Sequence, residues 1–136
     1  MDNFDDVGVF HQKFGLVNST FTKPHPRLLD DDTYAFRYGF LAEELREFKD
    51  AHLAGNLAEA ADALVDLVYV VLGTAHMMGL PWHELWDEVQ HANMQKVRAP
   101  SAEASASSTG RGSVLDVIKP EGWQPPNIEG VLASYA

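Results

Sequence analysis

Hydrophobic residues recur along the chain at intervals of three and four in four stretches, and that period is helical. Residues 2–14 place Phe4, Val7, Phe10, His11 and Phe14 on one side, with Gly15 as a stop. Residues 33–53 repeat the pattern through Phe36, Phe40, Leu41, Leu45 and Phe48. Asp30, Asp31 and Asp32 precede that helix and suit the positive end of its dipole. Gly55 and Asn56 break it, and residues 57–78 form a second long helix, ended by Gly79 and Pro81. A third starts in the turn at Pro81 and runs to about residue 98 on Trp82, Leu85, Trp86, Val89 and Val97. Short connections make these three antiparallel neighbours.

The expected architecture is therefore all-α: an antiparallel bundle of about four helices over residues 1–98, with an irregular C-terminal tail. Residues 16–32 are loop-like. Residues 99–113 are low in complexity (SAEASASSTGRG) and are expected to be a flexible linker. The tail, 114–136, begins with a short extended segment over 114–118. It carries Trp123 and three prolines, and packs on the bundle or on a neighbouring subunit.

Composition narrows the chemistry. The 136 residues are 46% hydrophobic and 22% charged, as in one globular domain. The absence of cysteine removes disulfides, Cys-based zinc or iron–sulfur sites and thiol nucleophiles. A net charge of −10 makes a poor partner for nucleic acid or anionic membranes. Phosphate handling by such a chain calls for a bridging cation. The acidic start MDNFDDVGVF lacks the basic opening of a signal peptide, and the longest apolar run, 63–72, is short and contains Asp66. A cytoplasmic protein is expected.

The carboxylates fall where a core should be. With Phe36 at zero on a helical wheel, Phe40 lies at about 40°, Phe48 at about 120° and Leu41 at about 140°. Glu47 at about 20°, Glu44 at about 80° and Arg37 at about 100° lie inside that apolar arc, with Glu43 at its edge. The 57–78 helix is apolar in almost every direction, which predicts a buried helix. Its acids, Glu59, Asp62 and Asp66, share one stripe about 60° wide, which Tyr69 and Gly73 continue. Folding the two helices about Gly55 sets Glu47 opposite Asp62, and Glu44 opposite Asp66 one turn further out. Four like charges in a low-dielectric cleft repel, and hard cations with oxygen preference, Mg²⁺ or Mn²⁺, relieve them. In the third helix Asn93 falls on the apolar stripe, with Lys96 one turn beyond.

These residues resemble a known group. EELRE at 43–47, EAADALVDLVYV at 59–70 and NMQK at 93–96 are similar to the all-α NTP pyrophosphohydrolase superfamily, which includes MazG-like proteins, dimeric dUTPases and phosphoribosyl-ATP pyrophosphohydrolases. The FHQKFG segment and the tail's GWQPPNIE resemble its dUTPase-like, phage-type branch. The resemblance implies Mg²⁺-dependent cleavage of a nucleoside triphosphate to monophosphate plus pyrophosphate, and a homodimer or homotetramer. Glu43 and Glu47 would act catalytically. Glu44, Glu47, Asp62 and Asp66 would hold the metal, with Glu59 as the alternative in the second acidic motif. Lys96, Arg98 or Arg37 would face the phosphates. Asn93, Tyr69, His11 and Phe14 would line the nucleoside pocket. A pyrimidine substrate, dUTP or dCTP, follows from the branch alone.

Two rival classes remain. A di-iron carboxylate bundle carries two Glu-x-x-His motifs, whereas this chain has one, Glu88 to His91. A non-catalytic helical adaptor would use the acidic surface for partner binding.

Overall fold

The computed structural model describes residues 2–17 and 23–136, in two compact units, residues 2–82 with 135–136 and residues 83–134. Three helices build the first: α1 (Asn3–Lys13), α2 (Asp31–Leu53) and α3 (Leu57–Met77). Each begins on a side chain that accepts an otherwise orphaned backbone N–H. Asp2 takes that of Asp5 at 2.9 Å, Asp30 that of Thr33 at 2.8 Å and Asn56 that of Glu59 at 3.1 Å. Gly55, at φ 69°, makes the left-handed turn that reverses α2 into α3. The long helices match the hydrophobic pattern to within two residues. Part of the expected 16–32 loop, residues 18–22, lies outside the described residues. From its remainder, His25 and Arg27 donate backbone N–H to the carbonyls of Gly79 and Met78, beyond α3.

The α2–α3 contact is narrow and polar at its centre. The buried residues of α2 are Arg37, Glu44 and Ala51, seven apart, hence on one stripe. The buried residues of α3 are Ala63, Val70, Leu72, Gly73 and Ala75. Arg37 donates through Nε to Thr74 Oγ1 at 3.1 Å and through Nη2 to the Val70 carbonyl at 2.9 Å, which ties the open end of the hairpin. α1 lies on α3 through Val7 and His11, 1% and 2% exposed. Two glycines permit this approach. A Cβ on Gly8 would sit 2.8 Å from the His76 ring, and one on Gly73 would meet both His11 and the Arg37 guanidinium.

The all-round apolar α3 is not buried within a single chain, contrary to its pattern. Leu57, Leu64, Val65, Val68 and Val71 are exposed. Among the described residues α1 and α2 are the elements that pack most on α3, and the stripe opposite Asp66 is left exposed. A groove of ≈ 490 Å³ between α1 and α3 runs along it, lined by Asp6, Val7, Leu64, Val65, Val68 and Tyr69 among others.

The second unit contains α4 (Trp82–Met94) from its second residue, β1 (Val97–Arg98), α5 (Ala102–Thr109), β2 (Val117–Ile118) and α6 (Ile128–Ala133). The expected third helix stops early, because β1 leaves the helical path to pair antiparallel with β2, Val97 facing Ile118. The segment expected as a linker holds a helix. Ser101 caps it through Ala104 N–H, and Gly110 ends it in the left-handed region. Asp116 then ties it down, 9% exposed, accepting from Ser105 at 2.8 Å, from Thr109 at 2.7 Å and from Arg111 through two nitrogens at 3.1 and 2.7 Å. The Arg111 guanidinium, then the Thr109 and Ser105 hydroxyls, hold its carboxyl well below the ordinary range. Low sequence complexity hid this because the staple comes from outside the low-complexity run. The fold class is all-α as expected, with six described helices rather than about four. No described helix is long and apolar enough to cross a membrane.

Two stability predictions follow from the first unit. Gly73→Ala gains helix propensity yet drives a methyl into His11 and Arg37, so it should destabilise by about 1–3 kcal/mol. Gly39→Ala, within α2 and with open space around it, should stabilise by roughly 0.5–1 kcal/mol; chemical denaturation compares them directly. His11 is the second case. Burial, then the nearby Arg37 and His76, lower its pKa from 6.5 to about 4. The unfolded chain therefore takes up this proton first, and stability is lost as pH falls from about 6.5 to about 4. The Tm of His11→Leu, which cannot charge, should fall less steeply than wild type across that window; parallel slopes would contradict the assignment.

Candidate metal centre

One turn of α2 and one residue of α3 make the centre. Glu44 and Glu47 are three apart on α2, hence on one side of it. Asp66 faces them from α3, eleven residues beyond Gly55 as Glu44 is eleven before it. One carboxylate oxygen from each of the three lies within 4.8 Å of the others. Their exposures grade from buried Glu44 through half-buried Asp66 to exposed Glu47, so the cluster opens outward at one side.

Glu44 carries the strain of the arrangement. It is 7% exposed, and its Oε2 is buried with no hydrogen-bond partner among the described residues. Burial first, then the Glu47 carboxylate, then Asp66 and Glu43, push its pKa up to about 7. A protonated Glu44 removes one charge and leaves the oxygen orphaned. A small divalent cation answers both defects. Mg²⁺ and Mn²⁺ favour carboxylate oxygens and tolerate water in the remaining positions, which the open side of the cluster permits. The donor set is all oxygen, with no histidine or sulfur, so the residues fit the metal that the sequence calls for.

The other expected site residues are distributed as follows. Glu43 is exposed beside the cluster, close enough to act on Glu44. Asp62 and Glu59 are exposed on α3 and stand outside the three-carboxylate group. Tyr69 packs edge-on against Phe10 at 5.3 Å, and Phe10 contacts Phe14 at 4.8 Å. This gives an aromatic surface on the α1–α3 side, of which Phe10 was not singled out. His11 and Arg37 are buried in the helix junction. Arg37 spends its bonds on Val70 and Thr74, which makes it a cross-link rather than the phosphate ligand expected of it. Asn93, Lys96 and Arg98 belong to the second unit. There Asn93 is exposed, Arg98 donates to the Val114 carbonyl at 3.0 Å, and Lys96 lies 5.5 Å from the Trp123 ring centre.

The di-iron alternative finds no support in this geometry. Glu88 of the lone Glu-x-x-His accepts the Asn127 backbone N–H at 2.9 Å, in a second-unit crevice that also contains His91. The three-carboxylate group is built without either residue.

An uncharacterized protein of Acanthamoeba polyphaga mimivirus is 32% identical over 80 residues, 57% of this chain. The chain spans 31% of that relative's length. The profile of the phosphoribosyl-ATP pyrophosphohydrolase family matches residues 7–93, which take in α1 from Val7 onward, all of α2 and α3, and the carboxylate cluster. With more than half its length so matched, the chain belongs to the phosphoribosyl-ATP pyrophosphohydrolase family.

Proposed function

We propose that the protein is a divalent-metal-dependent pyrophosphohydrolase that cleaves a nucleoside triphosphate to the monophosphate and pyrophosphate. The observation that carries this is the buried, unpartnered Glu44 oxygen with Glu47 and Asp66 in reach. Family membership supports phosphoanhydride cleavage. The EELRE and NMQK resemblances favour a nucleoside triphosphate, and those of FHQKFG and the tail favour a pyrimidine such as dUTP or dCTP.

Glu44, Glu47 and Asp66 would hold Mg²⁺ or Mn²⁺, which would supply neutralising charge to the phosphate chain. Glu43, exposed beside them, and Glu47, on the open side, are the carboxylates that solvent reaches. Either can accept a proton from water attacking the α-phosphorus. The bond to the bridging oxygen breaks, pyrophosphate departs, and the water proton passes to the carboxylate and then to solvent. Tyr69, Phe10 and Phe14 offer the aromatic surface for the base.

The bare stripe of α3 fits a second copy of the chain. Leu57, Leu64, Val68 and Val71 follow intervals of seven, four and three, the spacing of a helix–helix seam. A seam that meets its own copy closes with two-fold symmetry and leaves no apolar surface over.

Pyrophosphate release from a panel of deoxynucleoside triphosphates with Mg²⁺ tests the activity. Removing a residue that merely supports a metal ligand costs about 10–100-fold, so Glu47→Gln, which alters a ligand itself, should lose at least about a hundredfold. Wild-type turnover in Glu47→Gln would remove the reading. Light scattering tests the assembly. The wild type should run at a multiple of its 15.0 kDa and Val68→Asp should run as a single chain, whereas a 15.0 kDa wild type would refute the seam.

A further inference from the structure

Arg37 is buried, 5% exposed, yet it makes no ion pair among the described residues. A buried charge without a counter-ion is costly, and an apolar side chain would fill the same place on the α2 stripe at less cost. What the guanidinium adds is direction. Its Nε–H donates to Thr74 Oγ1 at 3.1 Å and its Nη2–H to the Val70 carbonyl at 2.9 Å, while the Thr74 hydroxyl donates to that same carbonyl at 2.7 Å. The three groups close a triangle. A planar fork held at two points does not turn about either bond, as an ammonium held at one point does. His11 and Arg37 Nη2 both crowd Gly73 of α3, which leaves the fork little room to swing.

Val70 lies one turn beyond Asp66 on α3, and Arg37 lies two turns before Glu44 on the buried stripe of α2. The turn at Gly55 sets the level at which residues of the two helices meet, but leaves α2 free to rotate about its own axis. Side-chain ends lie about 5–6 Å from a helix axis, so a rotation of about 30° carries one through about 3 Å. That is a large part of the cluster's whole spread, since oxygens of Glu44, Glu47 and Asp66 lie within 4.8 Å of one another. Repulsion between Asp66 and the two glutamates favours such a rotation in the metal-free chain. The Arg37 fork on the α3 backbone opposes it.

We propose that Arg37, braced by Thr74, is a positioning residue of the carboxylate cluster: it holds α2 at the rotation that turns Glu44 and Glu47 toward Asp66. The inference rests on the metal centre proposed above and deepens it. Affinity for the cation then depends on two side chains that touch neither the cation nor the phosphate chain.

The test uses the full chain and Mn²⁺, whose free-ion EPR signal reads binding directly, at a temperature where circular dichroism shows each variant folded. Thr74→Val keeps the side-chain shape and removes the hydroxyl from the triangle. Arg37→Lys keeps the charge and removes the fork. Each should weaken Mn²⁺ binding about tenfold or more, the loss that follows removal of a group supporting a metal ligand. Thr74→Ser, which keeps the hydroxyl, should bind Mn²⁺ as the wild type does. A purely structural tie would lower the Tm of Thr74→Val and leave its Mn²⁺ affinity unchanged, and that result would overturn the proposal. A second arm needs no metal. In EDTA at alkaline pH, Glu44→Gln relieves the repulsion and should raise the Tm of the wild type, and raise it less in Thr74→Val, where α2 has already turned away. Equal gains in the two backgrounds would overturn the proposal even if Mn²⁺-dependent hydrolysis is confirmed. Unequal gains in a protein that hydrolyses no nucleotide would leave the positioning role standing and remove the proposed function.

Discussion

The first unit depends on one contact: the acidic stripe of α2 laid against α3. Burying a carboxylate between two helices is unfavourable unless its charge is matched or removed. Glu44 is buried there with Glu47 and Asp66 beside it. Arg37, one heptad earlier on the same stripe, is not its counter-ion. It is spent on the carbonyl of Val70 and the hydroxyl of Thr74. The hairpin is thus locked at its open end by a cation bonded to backbone, and left electrostatically unsatisfied nearer the turn. The fold thus supplies rigidity in one place and withholds charge compensation in another.

The aromatic and glycine positions serve the same geometry. Gly8 and Gly73 let α1 approach α3 closely enough to bury His11, and Phe10 then reaches Tyr69 one turn beyond Asp66. The aromatic surface and the carboxylates are therefore set by packing of the same helix. α3 carries acids on one side and an uncovered apolar stripe on the other.

Much of this was legible because helical period and helical charge placement obey the same arithmetic. The wheel put Glu44 and Glu47 inside the apolar arc, and of the two Glu44 is buried while Glu47 is exposed. Counting outward from Gly55 paired Glu44 with Asp66, and they cluster. The same wheel put Arg37 inside the arc but could not say what it would bond. Its partner is a backbone carbonyl, which carries no sequence signature. Asp62, equally well placed by counting, remains exposed outside the group, because a level in a hairpin fixes height and not rotation. Period also misread α3 as buried: within the chain Leu57, Leu64, Val68 and Val71 are exposed, because α1 and α2 cover only its other sides. The tail was least legible. Its order rests on long-range ties, Asp116 to α5 and Trp123 to Ala92, and none has a local period.

Glu44 is held inward among like charges, and burial pushes its carboxyl up to about 7. Carboxyl ¹³C titration of Glu44, assigned through Glu44→Gln, measures this without reference to turnover. Without divalent ions the resonance should titrate near 7, and with saturating Mg²⁺ its midpoint should fall well below that. A Glu44 carboxyl that titrates like an ordinary surface glutamate, with no response to Mg²⁺, would contradict the account.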